Sequence, residues 1–231
     1  MKIFAISDLH LSSKTDKPMN IFGNAWENHW GKIKEDWCHR VDENDIVLIA
    51  GDISWGMNLE QAIDDLYSIN VLPGKKIIIR GNHDYWWGTY KKLQALDLEN
   101  IYFLQNNARK IGNYIFCGTR GWTVPENKLQ SDEDLKIFER EKIRLKLSLE
   151  EAHKLKENEE NQIIGLIHYP PFNSKFEKSY FTELFTSYNV KTIVYGHLHG
   201  QQSRYKNVVE IEGCKYYLTS CDFLNNELLL L

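Results

Sequence analysis

Seven side chains able to hold divalent cations recur in this 231-residue sequence, each just after a short apolar run. Asp8 and His10 follow "IFAIS", Asp52 follows "IVLIAG", and Asn82 follows "IIIRG", with His83 next to it. His168 follows "IIGLI", and His197 and His199 follow "TIVYG". Carboxylates, imidazoles and one amide without a thiolate suit cations of intermediate hardness, Mn²⁺, Fe²⁺ or Zn²⁺. A catalytic ion with an open position takes about four protein ligands or fewer, so the set is large enough for two ions. Asp52, alone after a glycine, is the candidate to bridge them, because the two oxygens of one carboxylate lie apart on a rigid group. Any single Asp or His after a strand is more often a turn or cap residue. Five such ends together are hard to explain that way.

The apolar runs must be the elements that carry these groups. "KIFAIS", "DIVLIAG", "KKIIIRG", "NQIIGLIH" and "KTIVYG" read as strands buried on both faces, and further strands are expected at "NIYFL", "NYIFCGT", "VVEIEG" and "KYYLTS". Between them, Trp26, Trp30, Ile33 and Trp37 have helical spacing, and "NLEQAIDDLYSI" and "YWWGTYKKLQAL" supply further helices. Strand–helix–strand repetition predicts an α/β fold with two packed sheets. Ligands in such folds sit outside the carboxyl ends of the strands, where all five motifs fall. Glycines before Asp52, Asn82 and His197 would let the backbone turn sharply there. The other histidines, His29, His39 and His153, lie in helical stretches and read as surface or packing residues.

Residues 126–161 contain no Gly or Pro and carry charges of both signs. Leu135, Phe138, Leu145, Leu149 and Ala152 mark one face of an expected helix packed on the domain. With no linker and no internal repeat, the economical reading is a single domain over 1–231 with this charged helical insertion.

A formal net charge of −4 and pI near 6.1 give no global attraction to nucleic acid or acidic membranes. Four scattered cysteines without a CxxC suit a reducing, cytoplasmic setting, and no signal peptide or membrane span is expected.

The ordered motifs Asp8-Leu9-His10, Gly51-Asp52, Gly81-Asn82-His83-Asp84, His168 and Gly196-His197-Leu198-His199 resemble those of calcineurin-like metallophosphoesterases. The resemblance spans residues 8–199. It implies a four-layer α/β/β/α sandwich of two mixed sheets flanked by helices, with a dinuclear site at the strand ends. Asp8, His10, Asp52 and His199 would hold one ion, and Asp52, Asn82, His168 and His197 the other. The implied chemistry is attack of a metal-bridging hydroxide on the phosphorus of a small monoester or diester, with a nucleotide among the candidates. His83 would face the phosphate and donate a proton to the leaving oxygen. Asp84 would orient that imidazole or tie down its loop.

The second motif reads "GDISWG" and lacks the extra Asp and Arg of the protein Ser/Thr phosphatase branch, which argues against a phosphoprotein substrate. Arg80 and Arg120 could approach the site, although Arg80 reads better as a surface or packing residue. Lys175 and Lys178, in the loop after His168, could meet a second phosphate or simply be solvated. Trp26, Trp55, Trp86, Trp87 and Trp122 lie near the motifs and could stack a base or fill the core. A catalytically silent interaction scaffold is the alternative, which the complete ligand set and His83 disfavour. No protein partner is indicated.

Overall fold

A computed structural model describes residues 1–126, 131–200 and 205–231. Eleven strands form two sheets. The first is built from β1 (Ile3–Ile6), β2 (Ile46–Ile49), β3 (Lys75–Ile78) and β4 (Ile101–Phe103), all parallel, with β11 (Leu229–Leu230) antiparallel to β1. In the second, β6 (Tyr114–Thr119), β7 (Gln162–Ile167), β8 (Thr192–Tyr195) and β10 (Cys214–Leu218) are parallel. Antiparallel β5 (Ala108–Ile111) and β9 (Val208–Ile211) flank them.

Alternate residues of each inner strand feed different cores, which is why these runs are apolar without interruption. Ile3, Ala5, Ile46, Leu48, Ile77 and Ile79 meet Phe116, Ile164, Leu166 and Val194 between the sheets. Phe4, Ile6, Val47, Ile49 and Ile78 face the other way, into a core shared with α1 (His29–Arg40) and α2 (Leu59–Asn70). The outer face of the second sheet packs on α4 (Asp132–Leu155) and α5 (Tyr180–Ser187). Two mixed sheets flanked by helices make up the sandwich expected from sequence.

Three local expectations change. "YWWGTYKKLQAL" forms only the short α3 (Tyr90–Gln94). Trp86 and Trp87 precede it and pack into the core, Trp87 edge-on to Phe103 at 5.2 Å. Trp26 lies in a separate 3-10 turn before α1 rather than on that helix.

The charged stretch forms α4, capped where the Ser131 hydroxyl accepts from the Asp134 N–H at 3.1 Å, with acids in the first turn and His153 and Lys154 in the last. The beginning of the expected insertion includes residues 127–130, which lie outside the described residues. Phe138, Leu145, Leu149 and Ala152 are buried, whereas Leu135 is 43% exposed. At about 100° per residue, Leu135 is rotated roughly a quarter turn from the mean direction of the buried set. Glu141 and Ser148 occupy the core-facing positions instead.

Parallel pairing brings the carboxyl ends of β1, β2 and β3 to one edge, and those of β6, β7, β8 and β10 to the facing edge. The two sheets are joined there: the Ser7 N–H donates to the Thr219 carbonyl at 2.7 Å, and the Cys221 N–H donates to the Ser7 carbonyl at 3.0 Å.

Candidate metal centre

All seven predicted ligands meet at this seam. Four of them, Asp8, His10, Asp52 and His197, have φ between 46° and 71°, the left-handed region that non-glycine residues rarely adopt. Such backbone costs of order 1–3 kcal/mol per residue and clusters where side chains must be aimed. The preceding glycines serve mainly close approach. A Cβ on Gly81 would lie 2.1 Å from Asp52 Oδ1, and one on Gly196 would lie 2.3 Å from Asp8 Oδ2. Gly51 does need its φ of 92°, and its Cβ would also strike Gly81 Cα at 2.7 Å. The expectation of sharp turns therefore holds for Gly51, while Gly81 and Gly196 are needed for space.

The donors form two neighbouring groups. Asp8, His10 and His199 each offer an atom within 4.8 Å of the others, as do Asp8, Asp52 and His168. His10 Nε2 and His199 Nε2 are 3.4 Å apart, and His199 Nε2 is 3.5 Å from Asp8 Oδ1. Asp52 Oδ2 lies 3.4 Å from His168 Nε2 and 3.8 Å from His10 Nε2. Its Oδ1 accepts from the His83 backbone N–H at 2.8 Å. Both of these imidazole contacts are made by Oδ2. Asn82 Oδ1 lies 2.7 Å from His168 Nε2 and 2.9 Å from His197 Nδ1.

The residues fit a cation. His168 Nδ1 is 2.9 Å from the Ala50 carbonyl, which only accepts, so that nitrogen carries a proton. In the neutral ring the Nε2 lone pair then faces Asn82 Oδ1 and Asp52 Oδ2. His199 repeats the arrangement, with Nδ1 donating to Asp222 Oδ1 at 3.1 Å and Nε2 turned to Asp8 and His10. Lone pairs converging on shared points need a proton or a metal between them, and an outer partner on each ring is the usual support of a metal-bound imidazole. Burial acts to lower His168, but the Asp52 and Asp8 carboxylates outweigh it and raise the group to about 9. His10 and His197 are pushed down to about 3, chiefly by burial. Burial works to raise Asp52, yet His168 and His10 hold it well below the usual carboxylate range.

The supporting shell was mostly missed from sequence. Asp222 follows β10, so the strand-end rule applied to "KYYLTSCD" would have found it. Asp8 Oδ2 accepts from Ser7 Oγ at 2.5 Å and Ser220 Oγ at 2.9 Å, leaving Oδ1 toward His199. Asp84 is a loop anchor. Its carboxylate accepts from Gly81 N at 2.7 Å, Ile53 N at 2.8 Å, Asp52 N at 2.9 Å, Trp86 Nε1 at 3.0 Å and Ser54 N at 3.2 Å. His83 sits half-buried at the edge, its ring 4.5 Å from Trp55 and 5.6 Å from His10, and its Nδ1 has no partner. Burial pushes it below the ordinary histidine value, against the pull of Asp52.

The tryptophans do not form a free aromatic wall. Trp26, Trp86 and Trp87 are buried. Trp55 stacks on His10 at 4.8 Å and carries the Lys17 ammonium at 4.3 Å. Lys178, considered for a second phosphate, pairs with Glu212.

A sequence profile described as calcineurin-like phosphoesterase matches residues 1–201. The chain belongs to that family. Among curated proteins, this chain is 37% identical over 78 residues to Gene 66 protein of Mycobacterium phage L5, an overlap of 34% of this chain and 37% of the phage protein. Among solved structures, the chain resembles AQ665, a protein of unknown function from Aquifex aeolicus. The TM-score is 0.51 at 14% identity, covering 99% of this chain and 95% of that one. That likeness concerns the fold alone. No described helix is long and apolar enough to cross a membrane.

Proposed function

We propose that the protein is a dinuclear metal-dependent phosphoesterase acting on a small phosphomonoester or phosphodiester. The observation that carries this is the convergence of Asp8, His10, Asp52, Asn82, His168, His197 and His199 on two adjoining points, with His83 beside them. Asp8, His10, Asp52 and His199 would hold one cation, and Asp52, Asn82, His168 and His197 the other. Mn²⁺, Fe²⁺ and Zn²⁺ suit the donors. When bound, the cations supply positive charge that acidifies a water and polarises the phosphoryl oxygens.

The chain's own groups set the geometry. Asp84 ties the loops after β2 and β3 together, so that Asp52 and Asn82 keep one spacing. A water oxygen forms the new bond to phosphorus, the opposite P–O bond breaks, and His83 passes a proton to the departing oxygen. In the free protein burial favours neutral His83. An anionic phosphoryl group beside the ring reverses that balance and lets it hold the proton it must give. Trp26, Trp86 and Trp87 are buried and Trp55 is engaged, so these four rings give a base no free face, and nucleotides stand as one class in a panel of small phosphoesters.

The test is metal analysis of the purified protein, followed by assays of p-nitrophenyl phosphate, bis-p-nitrophenyl phosphate and nucleotides with Mn²⁺. Turnover removed by EDTA and restored by Mn²⁺ supports the reading. Two bound ions without hydrolysis of any substrate would overturn it.

A further inference from the structure

Arg80 makes no hydrogen bond or ion pair with any described residue, although it is half-buried. It lines a cavity of about 50 Å³ together with Arg120, Arg144, Glu141, Trp87 and Gln105. Glu141 is fully buried and already served: Thr119 Oγ1 and Arg144 Nη1 each donate to it at 2.7 Å, and Arg120 Nη2 donates at 3.4 Å. Two guanidiniums, those of Arg120 and Arg144, therefore share one carboxylate while Arg80 reaches none, and Nε of both Arg80 and Arg120 is buried without an acceptor. Desolvated charge of one sign is unfavourable unless a counter-charge completes it.

The cavity adjoins the metal centre. Arg80 stands two residues before Asn82, and the Arg120 carbonyl accepts from the N–H groups of His168 and Tyr169, both at 3.0 Å. The Arg120 guanidinium lies 4.7 Å over Trp122, whose ring is 5.0 Å from Tyr169, and Tyr169 is 4.1 Å from the His197 ring. A cavity of this size suits an oxyanion group. Guanidinium forks match the geometry of phosphate and carboxylate oxygens.

We propose that Arg80, Arg120 and Arg144 form a subsite for a second anionic group of the substrate, a phosphate or carboxylate apart from the ester being cleaved. The source of that group rests on the phosphoesterase reading; binding of the anion does not.

The first arm of the test titrates inorganic sulfate into EDTA-treated protein by calorimetry at constant ionic strength. Arg80→Gln should weaken binding about tenfold, the loss of one charge-assisted interaction. Arg80→Lys should fall between Arg80→Gln and the parent. Because Arg80 has no partner to lose and its charge is uncompensated, melting without sulfate should match the parent for Arg80→Lys and be no lower than the parent for Arg80→Gln. Equal sulfate affinities in all three proteins, or no binding, overturn the subsite. The second arm compares kcat/KM of the Mn²⁺-loaded enzyme for 1,3-propanediol bisphosphate and propyl phosphate. The ratio should fall about tenfold in Arg80→Gln. An unchanged ratio beside altered sulfate binding overturns the substrate assignment in favour of a free anion. If the parent cleaves neither ester, the phosphoesterase reading loses support while the sulfate arm still decides the subsite.

Discussion

Replacing Gly81 by alanine would place a methyl carbon 2.1 Å from Asp52 Oδ1 and 2.2 Å from Asp52 N. Reaching an ordinary 3.4 Å contact from 2.1 Å requires a shift of about 1.3 Å. Neither atom is free to give way, because the carboxylate is tied to the His83 N–H and the Asp52 N–H to Asp84. The displacement therefore falls on the carboxylate that faces both donor groups. Misplacement of about 1 Å in a catalytic arrangement costs roughly a hundredfold in rate, and overpacking costs about 1–3 kcal/mol. At about 2–4 °C per kcal/mol for a chain of this size, Tm should fall by about 2–12 °C. Circular-dichroism melting of metal-free protein, Mn²⁺ stoichiometry and hydrolysis of bis-p-nitrophenyl phosphate measure the three effects. Gly88→Ala is the control, since its Cβ would meet only the Lys92 side chain, Cδ at 3.6 Å and Cβ at 3.7 Å. Gly81→Ala protein with parental rate, metal content and Tm would refute the argument that the glycine is there for space.

Asp222→Asn removes the carboxylate behind His199 and should weaken Mn²⁺ binding about 10- to 100-fold, read by calorimetry; an unchanged Kd excludes the supporting role. His83→Asn should keep both ions and lose about 10²- to 10⁴-fold in turnover of the same diester, whereas parental turnover would exclude His83 as proton donor. Metal binding must displace the proton that Asp52 and Asp8 hold on His168 up to about pH 9. Apparent Mn²⁺ affinity should accordingly rise with pH between 7 and 9, by about tenfold per unit, and level off above. Titrations near pH 7.5 in buffers of different ionisation enthalpy should register the released proton, and affinity flat from pH 7 to 9 would contradict the assignment.

Legibility followed burial. β1 and β2 read plainly as strands because both their faces are covered, so every residue is apolar, and β3 because Ile77 and Ile78 continue into Ile79. The edge strands β5, "ARKI", and β11, two leucines long, left no such trace, since an edge strand is half solvated and needs few residues to pair. On α4, four of the five residues assigned to the buried face are buried, and the helix places Glu141 where an apolar residue was expected. Trp86 and Trp87 have the spacing of a helix but pack as a turn, with Asp84 accepting from Trp86 Nε1. Among the chemical groups, the predicted ligands stood out because several polar types repeated after similar apolar runs. Asp222 did not, because the run before it, "KYYLTSC", interleaves polar residues with apolar ones.

By itself the sequence determined which donor atoms exist and that each follows a buried strand, because residue type and apolar patterning are properties of the local chain. It also determined the order of motifs that marks the family. Only the tertiary structure decided that Asp52 Oδ2 faces both His10 and His168, that Asp222 stands behind His199, and that Arg80 has no counter-charge among the described residues. Each of these depends on where two sheets, joined through Ser7 and Ser220, bring residues distant in sequence into contact, and no local spacing encodes that distance.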